Sequence, residues 1–368
     1  MKRILLTTTA LTMTAGIAAA DVSVSGSFKL GFNDTDSNTA ATGTPAKLGS
    51  IAADGITYVA GASASVGHVA ATTHDNNYGV YNDAGITFAM SSTMDSGMTA
   101  SITADMNGGD TTNNAADSYT LALASDGLNV AFGSTEYSAR SNWVSAGDMA
   151  TDGWFNQNDA GGNVLKASAN LGGLAVSASS LVTTGAKASP NAVSISISGA
   201  LGGASYVIAN EADVLGISAT TSVGGSTVTT GYSTDGTDTS TGVKIAYPAG
   251  AITTTASYVV ESAAATIDAW NISAAYSAGG TSVTFSTDEG SAHKVEGSTT
   301  LGSATVNVGL ADSLEDMYLA VSNPLGGGAS IMASYAVEGT GASATDAKDE
   351  IGAGDWQEGL TIELKFAF

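Results

Sequence analysis

From Gly85 to Val337 the chain repeats one pattern: a short run alternating apolar with small polar residues, a tight glycine-bearing turn, and a second such run. Val193, Ile195 and Ile197 take one parity, and Ser194, Ser196 and Ser198 take the other. Trp270, Ile272, Ala274 and Tyr276 oppose Asn271 and Ser273 in the same way. Side chains alternate faces along a strand, so this period of two predicts ribbons with one apolar and one wet face. The turns fall at Asp95–Gly97, Asp126–Gly127, Gly172–Gly173, Gly202–Gly203, Gly224–Gly225, Pro248–Gly250, Gly279–Gly280, near Gly302 and at Asn323–Gly328, all with hairpin-forming residues. Those nine hairpins, a first strand in DVSVSGSFKLGF from Asp21 and a last in LTIELKFAF from Leu360 give a literal count of twenty strands. No segment carries a 3.6-residue period and no strand–helix–strand spacing occurs, so the fold class is all-β and antiparallel.

An antiparallel sheet with one apolar face can close a sandwich or stand in a membrane. Charge decides between them. Only 12% of residues are charged, against about 25% in soluble domains. The wet parity is Ser, Thr, Asn and Gly rather than Lys and Glu, which suits a water-filled lumen. After residue 20 no run of 18 apolar residues exists, so helical spans are excluded. The reading is a transmembrane antiparallel β-barrel over residues 21–368, a single domain, with its first and last strands paired to remove both edges. Aromatics near strand ends, such as Phe32, Tyr232, Tyr258 and Phe366, fit girdles at the headgroups. The irregular stretch from Asn33 to Asn82 is long for a soluble domain and ordinary for a barrel loop. Within it, DGITYVAGASASVGHVAA has the makings of a further strand or hairpin.

Residues 1–20, MKRILLTTTALTMTAGIAAA, read as a signal peptide: two bases, an apolar stretch, then small residues at the cleavage site. Export without a single cysteine points to a bacterial envelope protein with no disulfide framework. Without Lys2 and Arg3 the basic count falls from 11 to 9 against 34 acids, a formal charge of −25. A nucleic-acid partner needs a basic footprint and is disfavoured. Cations and small hydrophilic solutes are better company.

Four stretches together resemble one family. DVSVSGSFKLGF looks like its first strand, and ITFAMSSTMDSGMTASITADM like its second and third. DGLNVAFGSTE looks like the strand leading into the third loop, and NPLGGGASIMASYAV with the final ELKFAF like the last hairpin and closing strand. The family is the alphaproteobacterial, Rhodobacter-type general porins of the outer membrane. The resemblance implies a homotrimer of barrels of about sixteen strands in outer-membrane lipid, each an aqueous channel narrowed by an inward-folded third loop. The hairpin count allows eighteen to twenty strands instead. No catalytic activity and no required cofactor are implied.

By position the inward loop is Glu136 to Gly161, holding Glu136, Asp148, Asp152 and Asp159 with Arg140 as its only base. Trp143, Trp154 and Phe155 are expected to pin it to the wall. Parity places Lys29, Asp105, Lys166, Lys244, Glu363 and Lys365 on the lumenal wall. Family members typically carry a basic cluster opposite the loop; here Arg140 is the sole arginine after the signal. So few bases predict a channel that prefers cations. Asp34, Asp36, Asp235 and Asp238 are candidate Ca²⁺ ligands, although their spacing is not that of an EF-hand. The rival class is a secreted or surface-exposed β-rich adhesin without a channel, which would show a fixed repeat period where this chain's hairpin spacing varies. A barrel enzyme lacks support, since no G-x-S-x-G and no clustered Ser, His and Asp occur.

Overall fold

A computed structural model describes residues 21–34, 50–51, 58–59, 79–107, 116–154, 163–182, 193–263, 266–311, 314, 316–337, 351–352, 354 and 356–368. The signal-peptide reading of residues 1–20, Asp36, Phe155 and Asp159 fall outside them. The strands are β1 (Asp21–Asp34), β2 (Ser50–Ile51), β3 (Tyr58–Val59), β4 (Gly79–Thr93), β5 (Thr99–Asn107), β6 (Ala116–Ser125), β7 (Leu128–Gly133), β8 (Asn163–Leu171), β9 (Leu174–Val182), β10 (Val193–Leu201) and β11 (Ala204–Glu211). They continue as β12 (Val214–Val223), β13 (Ser226–Thr234), β14 (Thr239–Ala249), β15 (Ile252–Glu261), β16 (Ala269–Ala278), β17 (Thr281–Asp288), β18 (His293–Leu301), β19 (Ala304–Ala311), β20 (Asp316–Gly326), β21 (Ala329–Val337) and β22 (Gly359–Ala367). Among the described residues one helix, α1 (Ser138–Asn142), lies between β7 and β8.

Among the described residues, β1 and β4 to β22 form one antiparallel sheet of 20 strands, and β2 pairs only with β3. All nine turn signals join neighbouring strands. At Gly224 and Gly225, φ is +58° and +85°. Both positions need the left-handed region of a two-residue hairpin turn, whose twist matches the flanking strands. The sheet therefore has the number of strands that the turns count out, at the top of the expected range rather than at the sixteen the resemblance implies. β1 pairs with both β22 and β4, so the sheet is a closed antiparallel barrel.

Contacts divide the chain into two compact units. One comprises Met1–Gly26, Gly85–Asn107 and Ala115–His293; the other comprises Ser27–Ala84, Gly108–Asn114 and Lys294–Phe368. Closure belongs to the second. There Phe28 registers with Phe366, Leu30 with Leu364 and Asn33 with Thr361. Asn33 is fully buried, and its Nδ2 donates to Thr361 Oγ1 at 2.7 Å and to the Glu358 carbonyl at 2.9 Å.

The fate of the apolar parity separates barrel from sandwich. In the first unit Val193 is 50% exposed and Ile245 44%, whereas Ser194 and Ser240 are 0% exposed. In the second, Leu360, Ile362 and Phe366 are all exposed. Among the described residues these side chains stay exposed instead of packing against another sheet. A regular array of exposed Val, Ile, Leu and Phe is the lipid face of a membrane barrel, and the opposite, serine-lined face is its inner wall.

Candidate pore constriction

The third loop leaves the sheet at Gly133, whose φ of +124° turns the chain where a Cβ would collide with the Tyr119 carbonyl. It then beds onto the polar face of the first unit. A five-residue helix such as α1 cannot satisfy its own first N–H groups, and Tyr137 before it provides no side-chain cap. The wall provides the caps instead. Ser138 N–H donates to Ser179 Oγ and Ala139 N–H to Ser194 Oγ, each at 2.8 Å. The Ser138 and Ser177 hydroxyls meet at 2.8 Å, and Asn142 Nδ2 donates to Ser196 Oγ at 2.9 Å. All four wall serines lie on the wet parity of β9 and β10 and are buried.

A second anchor holds the far end of the described loop. Thr151 N–H donates to Ser240 Oγ at 3.0 Å, and the Thr151 hydroxyl lies 2.8 Å from both Ser233 and Ser240. Ala150 N–H donates to Glu261 Oε1 at 3.0 Å, while the Ser240 hydroxyl donates to the other carboxylate oxygen. Between the anchors, Lys166 Nζ donates to Ser141 Oγ at 2.6 Å and Lys244 Nζ to the Ser145 carbonyl at 2.8 Å. Each bond adds only about 0.5–1.5 kcal/mol net, but a buried donor left without its partner costs about 1–3 kcal/mol. The loop is thus fixed by the penalty of leaving.

Packing adds shape to these bonds. Trp143 and Trp154 stack edge-on at 5.5 Å, and a Cβ on Gly216 would come within 2.5 Å of the Trp143 ring. Gly231 and Gly242 register opposite each other on β13 and β14. A Cβ on either would meet Ala146 at 3.0 Å. Trp154 and Ala139 pack on Val207 and Ala209, and Ala146 and Met149 pack on Val259 and Ala269. Three inward glycines make the groove, and small apolar residues line it.

The expected site residues are distributed as follows. Glu136 and Arg140 are exposed on the loop and pair at 3.5 Å. Asp148 is exposed, while Asp152 is partly covered and accepts from Trp143 Nε1 at 2.8 Å. Burial pushes the Asp152 carboxyl above the usual carboxylate range, Asp148 and Glu261 push the same way, and the bonds from Trp143 and Ser145 only partly oppose them. Burial and the nearby Glu211 also raise the Tyr137 hydroxyl. Lys166 and Lys244, on the wet parity, fasten the loop rather than face it across open space. Asp105 accepts from Thr87 Oγ1 at 2.6 Å and from Ser118 Oγ at 2.8 Å.

In the second unit Lys29 lies 3.8 Å from Asp83, Glu363 accepts from the Tyr81 hydroxyl at 3.0 Å, and Lys365 is exposed in register with Lys29. Asp235 Oδ1 accepts the N–H groups of Thr237 and Asp238 at 2.9 and 2.8 Å, so this carboxylate closes its own turn. Asp34 is exposed, and no group of three or more potential metal ligands occurs among the described residues. The wall serines, Glu261 and Gly216, Gly231 and Gly242 were not legible as site residues. Parity marks them as inward and says nothing of what they meet.

A closed barrel with a lipid-facing apolar wall and its third loop bound on the wet face is an outer-membrane channel protein. The sequence pattern of one family covers residues 7–343, that of the Gram-negative porins. The chain therefore belongs to the Gram-negative porin family, as a general porin channel of the bacterial outer membrane. No curated protein matches the chain. Among solved structures, a five-substitution variant of Rh. blastica porin is similar at 14% identity over 94% of this chain and 100% of that one, with a TM-score of 0.41. A triple variant of Rhodopseudomonas blastica porin gives the same figures. A structure titled for the asymmetric conductivity of engineered proteins has 14% identity, the same coverage and a TM-score of 0.46.

Proposed function

We propose that the chain is a Rhodobacter-type general porin that passes small hydrophilic solutes by diffusion, prefers cations, performs no chemistry and works as a homotrimer. The third loop, about residues 136–161, is its constriction. One observation carries this reading: the loop is tied at both described ends to buried hydroxyls of the inner wall, so it is a fixed part of the lumen. A narrow point selects by the charges that line it. On the loop, Glu136, Asp148 and Asp152, with Asp159 further along, outnumber Arg140. Of the wall bases, Lys166 and Lys244 are engaged with the loop and Lys29 with Asp83.

The test is a reversal potential across a planar bilayer separating two KCl concentrations at neutral pH. The sign for K⁺ permeation is expected, and the sign for Cl⁻ permeation would refute the preference. Channel formation is read independently from the conductance itself.

A further inference from the structure

We infer that the inner wall beneath α1 holds a subsite for a neutral, polyhydroxylated solute, a sugar or polyol. The inference rests on the channel reading and deepens it by naming a solute class. The site is a cavity of about 570 Å³ between the third loop and the Gly127 turn. That volume lies within the range of small-molecule sites, roughly 300–1,000 Å³. Asn129, Lys166, Ser168, Asn170 and Ser177 from the wall and Asn142 from the loop contribute to its lining.

The register orders these groups. Lys166, Ser168 and Asn170 alternate along β8, so they project to one side in a row of roughly 13 Å, at about 3.3 Å per residue. Asn129 of β7 lies directly opposite Ser168, and Ser177 of β9 lies opposite it on the other side. Asn142 and Ser177 are committed to holding the loop. The side chains of Asn129, Ser168 and Asn170 make no hydrogen bond among the described residues.

Two amides and a hydroxyl, each both donor and acceptor, are therefore free to bind. Vicinal hydroxyls on a ring or chain have the same dual character and a matching spread. The lining holds no carboxylate, which disfavours a cation as the preferred occupant. Its one charge, Lys166, already donates to Ser141, and the chain as a whole is strongly acidic, which disfavours an anion. Without such a row, a wide wet channel would pass sugars with no saturable step.

The experiment records single channels of the full chain in concentrated KCl with maltose as the probe, and with gluconate and arginine in parallel. Maltose is expected to interrupt the current reversibly and saturably. The double variant N129A/N170A is expected to weaken that block about tenfold or more, as the loss of two hydrogen bonds implies. Asn129→Asp, close to isosteric, is a second variant and is expected to weaken it in part; the heat-induced shift in gel migration reports whether each variant is folded. An unsaturable maltose effect, a block unchanged in the folded variants, or a stronger block by gluconate or arginine would overturn the assignment. Conductance without sugar tests the channel reading by itself: a conducting but unblocked pore sinks the subsite alone, and no conductance sinks the channel.

Discussion

Replacing Gly216 with alanine should loosen the third loop without harming the barrel. Gly216 has no positive φ, so the strand backbone accepts alanine. The added methyl would lie 2.5 Å from Trp143 Cζ3, 2.7 Å from its Cη2 and 2.9 Å from Trp154 Cζ2. Carbon atoms pack best at about 3.5–4.0 Å, so the indole must retreat by about 1 Å. The bond from Trp143 Nε1 to Asp152, now 2.8 Å, would then pass beyond hydrogen-bonding distance, about 3.2 Å. Overpacking of this kind costs about 1–3 kcal/mol, a shift of about 5- to 150-fold in the ratio of seated to released loop. Single-channel recording should show added open-channel noise and larger conductance substates, and near-ultraviolet circular dichroism should lose the signal of the paired indoles. Thr230→Ala, an exposed position on the outer face, is the control. If G216A and T230A both match the parent in noise, conductance and dichroism, the loop is not seated on Gly216 and the constriction reading fails.

Asp152 supplies a pH dependence. Its carboxyl is raised by burial, so ionisation opposes seating of the loop; that cost is present in full above the raised value and vanishes as pH falls below the ordinary carboxylate range. Channel noise should therefore fall on acidification, and Asp152→Asn should be quiet at every pH; an unchanged noise-against-pH curve in the variant would refute the assignment. Lys244→Met removes a charge-assisted bond to the Ser145 carbonyl, worth about 1.5–3 kcal/mol. It should raise both noise and cation preference in the same recordings, with Lys244→Arg staying near the parent. Asn33→Ala removes one buried and one partly buried bond at the seam between β1 and β22. A loss of about 1–3 kcal/mol should lower the midpoint of the heat-induced gel shift, while the reversal potential stays put.

The architecture was legible because its signals are local. The alternation around Ile195 says that one face of β10 is apolar, and Gly224-Gly225 says where the next strand reverses. Counting such turns reached the observed strands, whereas the resemblance pulled the number down. Trp143 and Trp154 were legible as loop anchors, since two large aromatics in a polar loop need somewhere to go. Their seat was not. Gly216, Gly231 and Gly242 lie some 60 to 100 residues from the loop side chains they receive, and inside a strand a glycine signals close approach without naming the partner. Ser179, Ser194 and Ser240 look identical to any other lumenal serine until the loop's backbone N–H groups arrive at them.

The lysines show how the same ignorance bears on function. Parity placed Lys166 and Lys244 on the wet face, where a side chain by default points into open water. Both ammonium groups instead donate to the loop itself. A cation that fastens an acidic loop beside its own wall offsets that loop's charge locally and leaves little field across open water. Arg140 is engaged with Glu136, and Lys29 with Asp83. Asp148, exposed on the loop, has no such partner among the described residues. On the proposed reading Lys166 and Lys244 do mechanical work and the exposed acids set the sign of the field, so the proposed cation preference rests on how the loop is held as much as on the net charge.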